Sequence, residues 1–311
     1  MFKNKLLKPK FWDKPSFSFI SFILLPLSSI TFFINLLKKF NIKKHFNIKT
    51  ICVGNIYLGG TGKTQLVIKI NEILQKNFKI FVIKKNYPDQ IDEQELLKKK
   101  TKLIISKNRI NGLLKLDNIK NSIVILDDGL QDNSIKYTIS IVCFNSYLGV
   151  GNGKLLPSGP LRESMSELKN YDAIFINGKK NNILVNKIKT YNKKIKIFYG
   201  RYILKNKYSF NLKYKYLAFC GIGNPDSFFN LLTQNKIRIE KSIIFPDHYN
   251  YKISDIIKII KFAKERNLKI VTTEKDYIKI NKFKINNIIK TIVDLKIDNP
   301  KKFKDFLIKY L

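Results

Sequence analysis

The sequence predicts an α/β protein: a mostly parallel sheet covered by helices, a second and smaller α/β domain, and an apolar helical segment ahead of both. Three observations carry this. From Lys49 onward, short apolar runs alternate with helix-length stretches, the pattern of parallel strands joined by helical crossovers. Nine of the 14 glycines fall between Gly54 and Gly62 or between Gly129 and Gly159, each segment directly after a strand-like run. Clustered glycine there marks tight turns and close approach of backbone to a ligand. Finally, Pro15 to Leu37 is a run of 23 residues without a charge, long enough to reach across a bilayer.

Residues 1–45 read as a membrane-associated segment. Pro26 interrupts the apolar run, and a proline inside a helix removes a hydrogen bond and clashes with the preceding turn. Lysines crowd both sides: Lys3, Lys5, Lys8, Lys10 and Lys14 before, Lys38, Lys39, Lys43 and Lys44 after. A single span would put one cluster outside, against the positive-inside tendency. The favoured reading is two half-helices around Pro26, each about 15 Å long, held against the membrane from one side with Trp12 at headgroup level. A single span and a buried soluble helix are the alternatives. No small-residue cleavage site follows, which argues against a signal peptide.

The formal charge of +36 invites a nucleic-acid partner, but only five of the 59 basic residues are arginine: Arg109, Arg162, Arg201, Arg238 and Arg266. Base readers depend on the bidentate arginine fork, so no nucleic acid is expected. Lysines spread over every face, or held toward anionic lipid at about 1 kcal/mol each, fit the composition better. Cys52, Cys143 and Cys220 are far apart and lie in or beside strand-like runs, as buried, reduced cysteines do. With two histidines and no ligand spacing, a zinc site is not expected. No protein partner is evident.

The strands expected in the body are Thr50 to Val53, Ile80 to Ile83, Leu103 to Ile105, Ile123 to Leu126, Ser140 to Phe144 and Ala173 to Ile176. They place a core domain at 46–205. The polar stretch Arg201 to Lys213 reads as a connector, and 206–311 as a second α/β domain that completes an active-site cleft. That domain reads as a strand at Tyr216 to Phe219, a turn, a helix capped by Asn224 with Pro225 at its first position, a helix from Asp255 to Lys264 capped by Ser254, and a strand at Lys269 to Thr272.

The first glycine segment, ICVGNIYLGGTGKTQLVIKI, is a strand, a loop and an amphipathic helix. Backbone N–H groups of Gly59, Gly60, Thr61 and Gly62 would cradle phosphate oxygens at the helix N-terminus. Lys63 would reach the β- and γ-phosphates of ATP, and Thr64 would ligate Mg2+. Tyr57 stands where the strict motif has glycine. The run SIVILDDGLQD ends in Asp127 and Asp128, paired carboxylates suited to the same magnesium. Arg162, in GNGKLLPSGPLRE, is placed to neutralise a transferring phosphoryl group. His248, beside Asp247 in FPDHYN, is a lone histidine, most simply structural.

These segments, with GIGNP and VTTEKD, occur in one order over nearly the whole chain, and so arranged they resemble the tetraacyldisaccharide 4'-kinase family, the lipid A 4'-kinases. The resemblance implies a P-loop kinase that transfers the ATP γ-phosphate to the 4'-hydroxyl of a lipid A disaccharide 1-phosphate at the cytoplasmic face of the inner membrane. It implies that Asp92, in the place of a GDEP segment, and His248 together serve the attacking hydroxyl. The chain departs from the family pattern in three places. Asp132 replaces a histidine, Lys84-Lys85-Asn86-Tyr87 replaces SRGYGR, and only Pro88 to Ile91 separates that segment from Asp92. Two other classes compete: a partitioning ATPase of the KGGxGKT kind, against which Leu58 stands in place of the first lysine, and a non-catalytic relative that binds nucleotide or lipid.

Overall fold

The structure, a computed structural model, describes residues 8–13 and 18–311. Lys3, Lys5, Lys14 and Pro15 lie outside them. The described chain divides into two compact units. One holds residues 8–86, 100–201 and 296–311, the other 87–99 and 202–295. The helix that carries Asp92 therefore belongs with the C-terminal unit, and the last helix with the N-terminal one. Both differ from the division at 205/206 read from the sequence.

In chain order the elements begin with α1 (Phe19–Ile23), α2 (Leu25–Leu37), β1 (Lys49–Gly54), α3 (Lys63–Leu74) and β2 (Lys79–Lys85). Then come α4 (Ile91–Lys100), β3 (Leu103–Ser106), α5 (Arg109–Leu114), β4 (Ser122–Asp127), β5 (Ile139–Asn145), β6 (Ala173–Asn177), α6 (Asn182–Tyr191) and β7 (Lys196–Leu204). The rest are β8 (Lys215–Cys220), α7 (Pro225–Gln234), β9 (Arg238–Ile244), α8 (Ile253–Glu265), β10 (Lys269–Thr273), α9 (Glu274–Ile280), β11 (Ile288–Thr291), β12 (Val293–Ile297) and α10 (Pro300–Tyr310).

The larger sheet has the order β12-β7-β6-β5-β1-β4-β2-β3. β1 lies between β4 and β5 and pairs parallel with both. β4, β5 and β6 are buried along their whole length. That is why they read as continuous apolar runs: a parallel sheet is covered on both faces. Leu126, Val142, Phe144 and Ile174 share one buried cluster with Cys52. Phe303 of α10 packs edge-on to Phe198 at a centroid distance of 4.9 Å and to Phe175 at 5.9 Å, which fixes the last helix to the unit that opened the chain. All three cysteines are buried and free.

Leu24 separates α1 from α2, and Pro26 falls in the first turn of α2, where a missing N–H costs nothing. The apolar run is thus divided into two helices as expected, with the break at Leu24 and the proline opening the second helix. Among the described residues no helix is long and apolar enough to cross a membrane. Trp12 corrects an expectation. It is buried, and its indole N–H donates to the Pro157 carbonyl at 2.9 Å, so it anchors the segment to the body instead of facing headgroups.

The second unit is built on a parallel sheet ordered β11-β10-β8-β9. Asn224 caps α7, with Pro225 at its start, as the sequence indicates. α8 begins earlier than expected, at Ile253. Ser254 lies inside it, and Asp255 supplies the N-terminal bond by accepting from the Lys252 N–H at 2.9 Å. The strands the sequence did not reveal, among them β7 and β9, are partly exposed and lysine- or arginine-bearing, so they lack an unbroken apolar run. β7 absorbs the first residues of the stretch read as connector.

Candidate active site

The larger unit gathers the phosphate loop, Lys63, Thr64, Asp127, Asp128 and Arg162 around the carboxyl ends of β1 and β4, where parallel sheets bind ligands. β1 delivers the loop 55–62. Gly60 and Gly62 hold φ of 50° and 92°, a left-handed conformation that glycine adopts without strain, and Gly62 caps α3. Thr61 lies between these two glycines, and Lys63 and Thr64 open the helix. The Lys63 ammonium donates to Asn55 Oδ1 at 2.9 Å and lies 3.3 Å from Asp128 Oδ1. Arg162 grips the same carboxylate, Nη1 to Oδ1 at 3.0 Å. Burial alone would raise the Asp128 pKa. Lys63, Arg162 and Lys84 outweigh it and hold the group ionised far below the usual carboxylate range.

Tyr57, where the motif has glycine, is buried, and its hydroxyl donates to Asp13 at 2.5 Å. The larger residue therefore ties the loop to the segment around Trp12 and stays out of the phosphate cradle. Gln131 joins three parts of the site. Its amide donates to the Asn55 carbonyl at 3.0 Å and to Glu163 at 3.2 Å, and its oxygen accepts from Arg162 at 3.4 Å. Burial raises the Glu163 pKa although Tyr171 donates to it at 2.6 Å. Asn55, Gln131 and Glu163 lie inside the quoted motifs but were given no role there, because each acts only through partners that the fold brings to it.

Asp127 is buried beside Asp128. Its Oδ2 accepts from the Lys84 ammonium at 2.7 Å. Its Oδ1, like Thr61 Oγ1, has no hydrogen-bond partner among the described residues. An unpartnered buried oxygen costs about 1–3 kcal/mol, so both atoms are ready for a ligand. An orphaned carboxylate oxygen at the end of β4 suits Mg2+, which takes one or two carboxylates and completes its shell with phosphates and water. Asp132 faces Arg109 at 3.2 Å and accepts from the Ser134 hydroxyl at 2.5 Å. Arg109 also donates to the Asp128 carbonyl at 2.5 Å, so Asp132 braces the turn after β4.

Asp92 and His248 meet in the smaller unit, which corrects the expectation that two domains each supply one of them. Asp92 lies in the first turn of α4 and is buried. His248 Nδ1 is 2.9 Å from Asp92 Oδ1. The histidine backbone is left-handed, φ 55°, uncommon for a residue with a side chain. The packed rings around it hold that turn: Phe245 stacks on Tyr249 at 4.8 Å and meets Tyr251 edge-on at 5.0 Å. Burial would raise the Asp92 pKa, but the His248 hydrogen bond, then Lys279 and Lys275, bring it down to about 2. Burial would lower the His248 pKa, but the Asp92 hydrogen bond and the charges of Asp247, Asp92 and Glu93 raise it. Lys275 salt-bridges Glu93 at 2.5 Å. A cavity of about 710 Å3 opens beside Asp92, lined also by Lys99, Tyr277, Lys279 and Lys282.

Chemically, the larger unit offers a phosphate cradle with a place for a cation, and the smaller one a buried carboxylate that orients an imidazole. A family model described as tetraacyldisaccharide-1-P 4'-kinase matches residues 20–311. The tetraacyldisaccharide 4'-kinase of Pelagibacter ubique is 46% identical, covering 98% of each chain. That of Rickettsia felis is 35% identical over 95% of each. The crystal structure of LpxK from Aquifex aeolicus in complex with ATP superposes with a TM-score of 0.69 at 24% identity, covering 94% of this chain and 99% of that one, and so shares the fold.

Proposed function

The chain belongs to the tetraacyldisaccharide-1-P 4'-kinase family, and from that premise we infer how its residues transfer the γ-phosphate of ATP to the 4'-hydroxyl of a tetraacyldisaccharide 1-phosphate in lipid A biosynthesis. The observation that carries the residue assignment is the 2.9 Å contact between Asp92 and His248. Asp92 Oδ1 fixes Nδ1–H of the imidazole, which leaves Nε2 to accept the hydroxyl proton as the phosphoryl group departs. Gly59, Gly60, Thr61 and Gly62 bind the ATP phosphates. Lys63 and Arg162, now shared by Asp128, turn to the phosphoryl oxygens as charge develops there. Thr64, Asp127 and Asp128 would hold Mg2+, which supplies charge neutralisation at the phosphates.

The cytoplasmic face of the inner membrane is the location this reading assigns, as a one-sided anchorage. The support is the inverted pattern of α1 and α2. Ser21, Ser28, Thr31 and Asn35 bond to the body, while Phe19 and Phe33 stand 69% and 59% exposed. A helix that turns polar groups inward and large apolar groups outward matches a lipid neighbour.

The test is the full chain in mixed micelles with radiolabelled ATP and the disaccharide 1-phosphate. Label is expected at the 4'-position of a lipid bisphosphate. Release of inorganic phosphate at one rate with or without the lipid would overturn the assignment.

A further inference from the structure

Asp92 is held on both oxygens. Oδ1 meets His248, and Oδ2 lies 3.3 Å from the Lys279 ammonium. Lys279 is fixed in its turn: it donates to Asp276 Oδ1 at 3.1 Å and to the Gly221 carbonyl at 3.4 Å. Asp276 is fully buried, and its Oδ2 accepts from the Gly221 N–H at 2.9 Å and from the Thr273 hydroxyl at 2.7 Å. Thr273 caps α9, and Asp276 and Lys279, three residues apart, share one face of it. A chain of contacts thus runs from the GIGN turn through α9 to the carboxylate beside His248.

We propose that Lys279, fixed by Asp276, is a positioning residue for phosphoryl transfer, holding Asp92 turned so that Oδ1 stays on His248 Nδ1. The proposal rests on the Asp92–His248 reading above. A carboxylate with a single partner is free to rotate, whereas one with two partners on different oxygens has a fixed plane. The ammonium is mostly buried, where charge acts more strongly than at the surface. It also sets a balance. The groups that face the pair are Asp92 and Glu93 of α4, Asp247 of the histidine's own loop, and Lys275, Asp276 and Lys279 of α9. The carboxylates draw a proton to His248, and Lys279 opposes them. Because Lys279 also borders the cavity beside Asp92, a direct contact with substrate is the rival role, and the two separate in kinetics.

The experiment uses the full chain in mixed micelles, with kcat and KM measured across pH for wild type, Lys279→Met and Lys279→Arg. Positioning predicts a kcat about tenfold lower in Lys279→Met with KM for ATP and lipid within about twofold, since an interaction serving the transition state is lost. The acid limb should move to higher pH by about half a unit or more, because removing the cation lets His248 keep its proton. Lys279→Arg should recover most of both. If Lys279→Met does not fold, Lys279→Gln carries the same test. An unchanged kcat and acid limb, or a rise in lipid KM alone, overturns the proposal and leaves the kinase reading standing. Absence of ATP-dependent lipid product in wild type would overturn that reading instead.

Discussion

The side-chain amide of Asn35 donates to the main-chain carbonyl of Arg162 at 2.7 Å. Thr31 makes the same kind of bond to Leu156 at 2.8 Å, and Ser28 to Leu155 at 3.0 Å. The helix with the exposed apolar face therefore grips the loop whose last residue reaches Asp128. Asn35→Leu removes one bond and adds apolar surface. It should lower kcat by about threefold to tenfold, as loss of a positioning hydrogen bond does. Binding to anionic vesicles should be kept. Phe22→Glu with Phe33→Glu should do the reverse, losing vesicle binding and retaining kcat in detergent. Sedimentation with vesicles and micellar kinetics measure the two effects, and equal responses from both variants would count against this division of faces.

Lys63→Ala should reduce transfer by at least about a hundredfold, because the lysine is the cation nearest the phosphate cradle and no other side chain replaces it in the turn. The same change removes the Lys63 ammonium, one of the cations that hold the buried Asp128 ionised, so a thermal melt must accompany the assay. A folded variant with near-normal turnover would remove the nucleotide site from Gly59 to Thr64.

What the sequence disclosed follows physical rules. Buried parallel strands such as β4 and β5 write continuous apolar runs, and the phosphate loop writes its glycines. Both were legible, as were Lys63, Asp127 and Asp128. β9, exposed along most of its length, left no such mark. Asp92 came only from a resemblance, since one acidic residue at a helix start is ordinary capping chemistry. The roles of Gln131, Lys84 and Lys279 were invisible because each depends on a partner more than 30 residues away in sequence, for Lys84 on another strand of the sheet and for Gln131 in other loops. Trp12 misled: an indole beside lysines is common at a membrane surface, and only the Pro157 carbonyl reveals that it points inward.

Lys84 and Asp127 form an ion pair at 2.7 Å with both side chains almost wholly buried. Removing one partner strands the other charge. Lys84→Met should therefore destabilise the protein by about 3–5 kcal/mol, read as a shift in the urea midpoint. Adding Asp127→Asn removes the stranded charge and should recover part of that loss. A double variant as unstable as the sum of the singles would show that the two residues do not act as a pair.

The pH dependence of transfer has a fixed sign. Asp92, with a pKa of about 2, is ionised throughout the working range, so its protonation does not shape activity near neutrality. His248 must be neutral at Nε2 to accept the hydroxyl proton, and its pKa is raised above the ordinary 6.5. Activity should fall as pH drops through that raised value, giving an acid limb with its midpoint above 6.5. Stability behaves oppositely for the two groups. The raised His248 pKa contributes fully below 6.5 and is lost as pH rises through the folded value. The depressed Asp92 pKa contributes above its ordinary 3.8 and is lost as pH falls toward 2. A pH–kcat/KM profile flat down to pH 5 would exclude His248 as the proton acceptor.

Asp92 and His248 should behave as one unit. Asp92→Asn keeps the shape of the side chain but lets its amide N–H face Nδ1, which favours the wrong tautomer and orientation of the imidazole. His248→Ala removes the proton acceptor itself. Each should lower kcat by about 10²- to 10⁴-fold, the usual contribution of a general base. The double variant should be little worse than the poorer single, because an orienting group has no function once the group it orients is gone. KM for ATP should stay within about twofold in all three, since the phosphate cradle belongs to the other compact unit. Steady-state kinetics on four proteins complete the cycle. Fully multiplicative losses would mean independent roles. A normal rate in Asp92→Asn would move the carboxylate function elsewhere, with Asp128 and Asp132 the next to test.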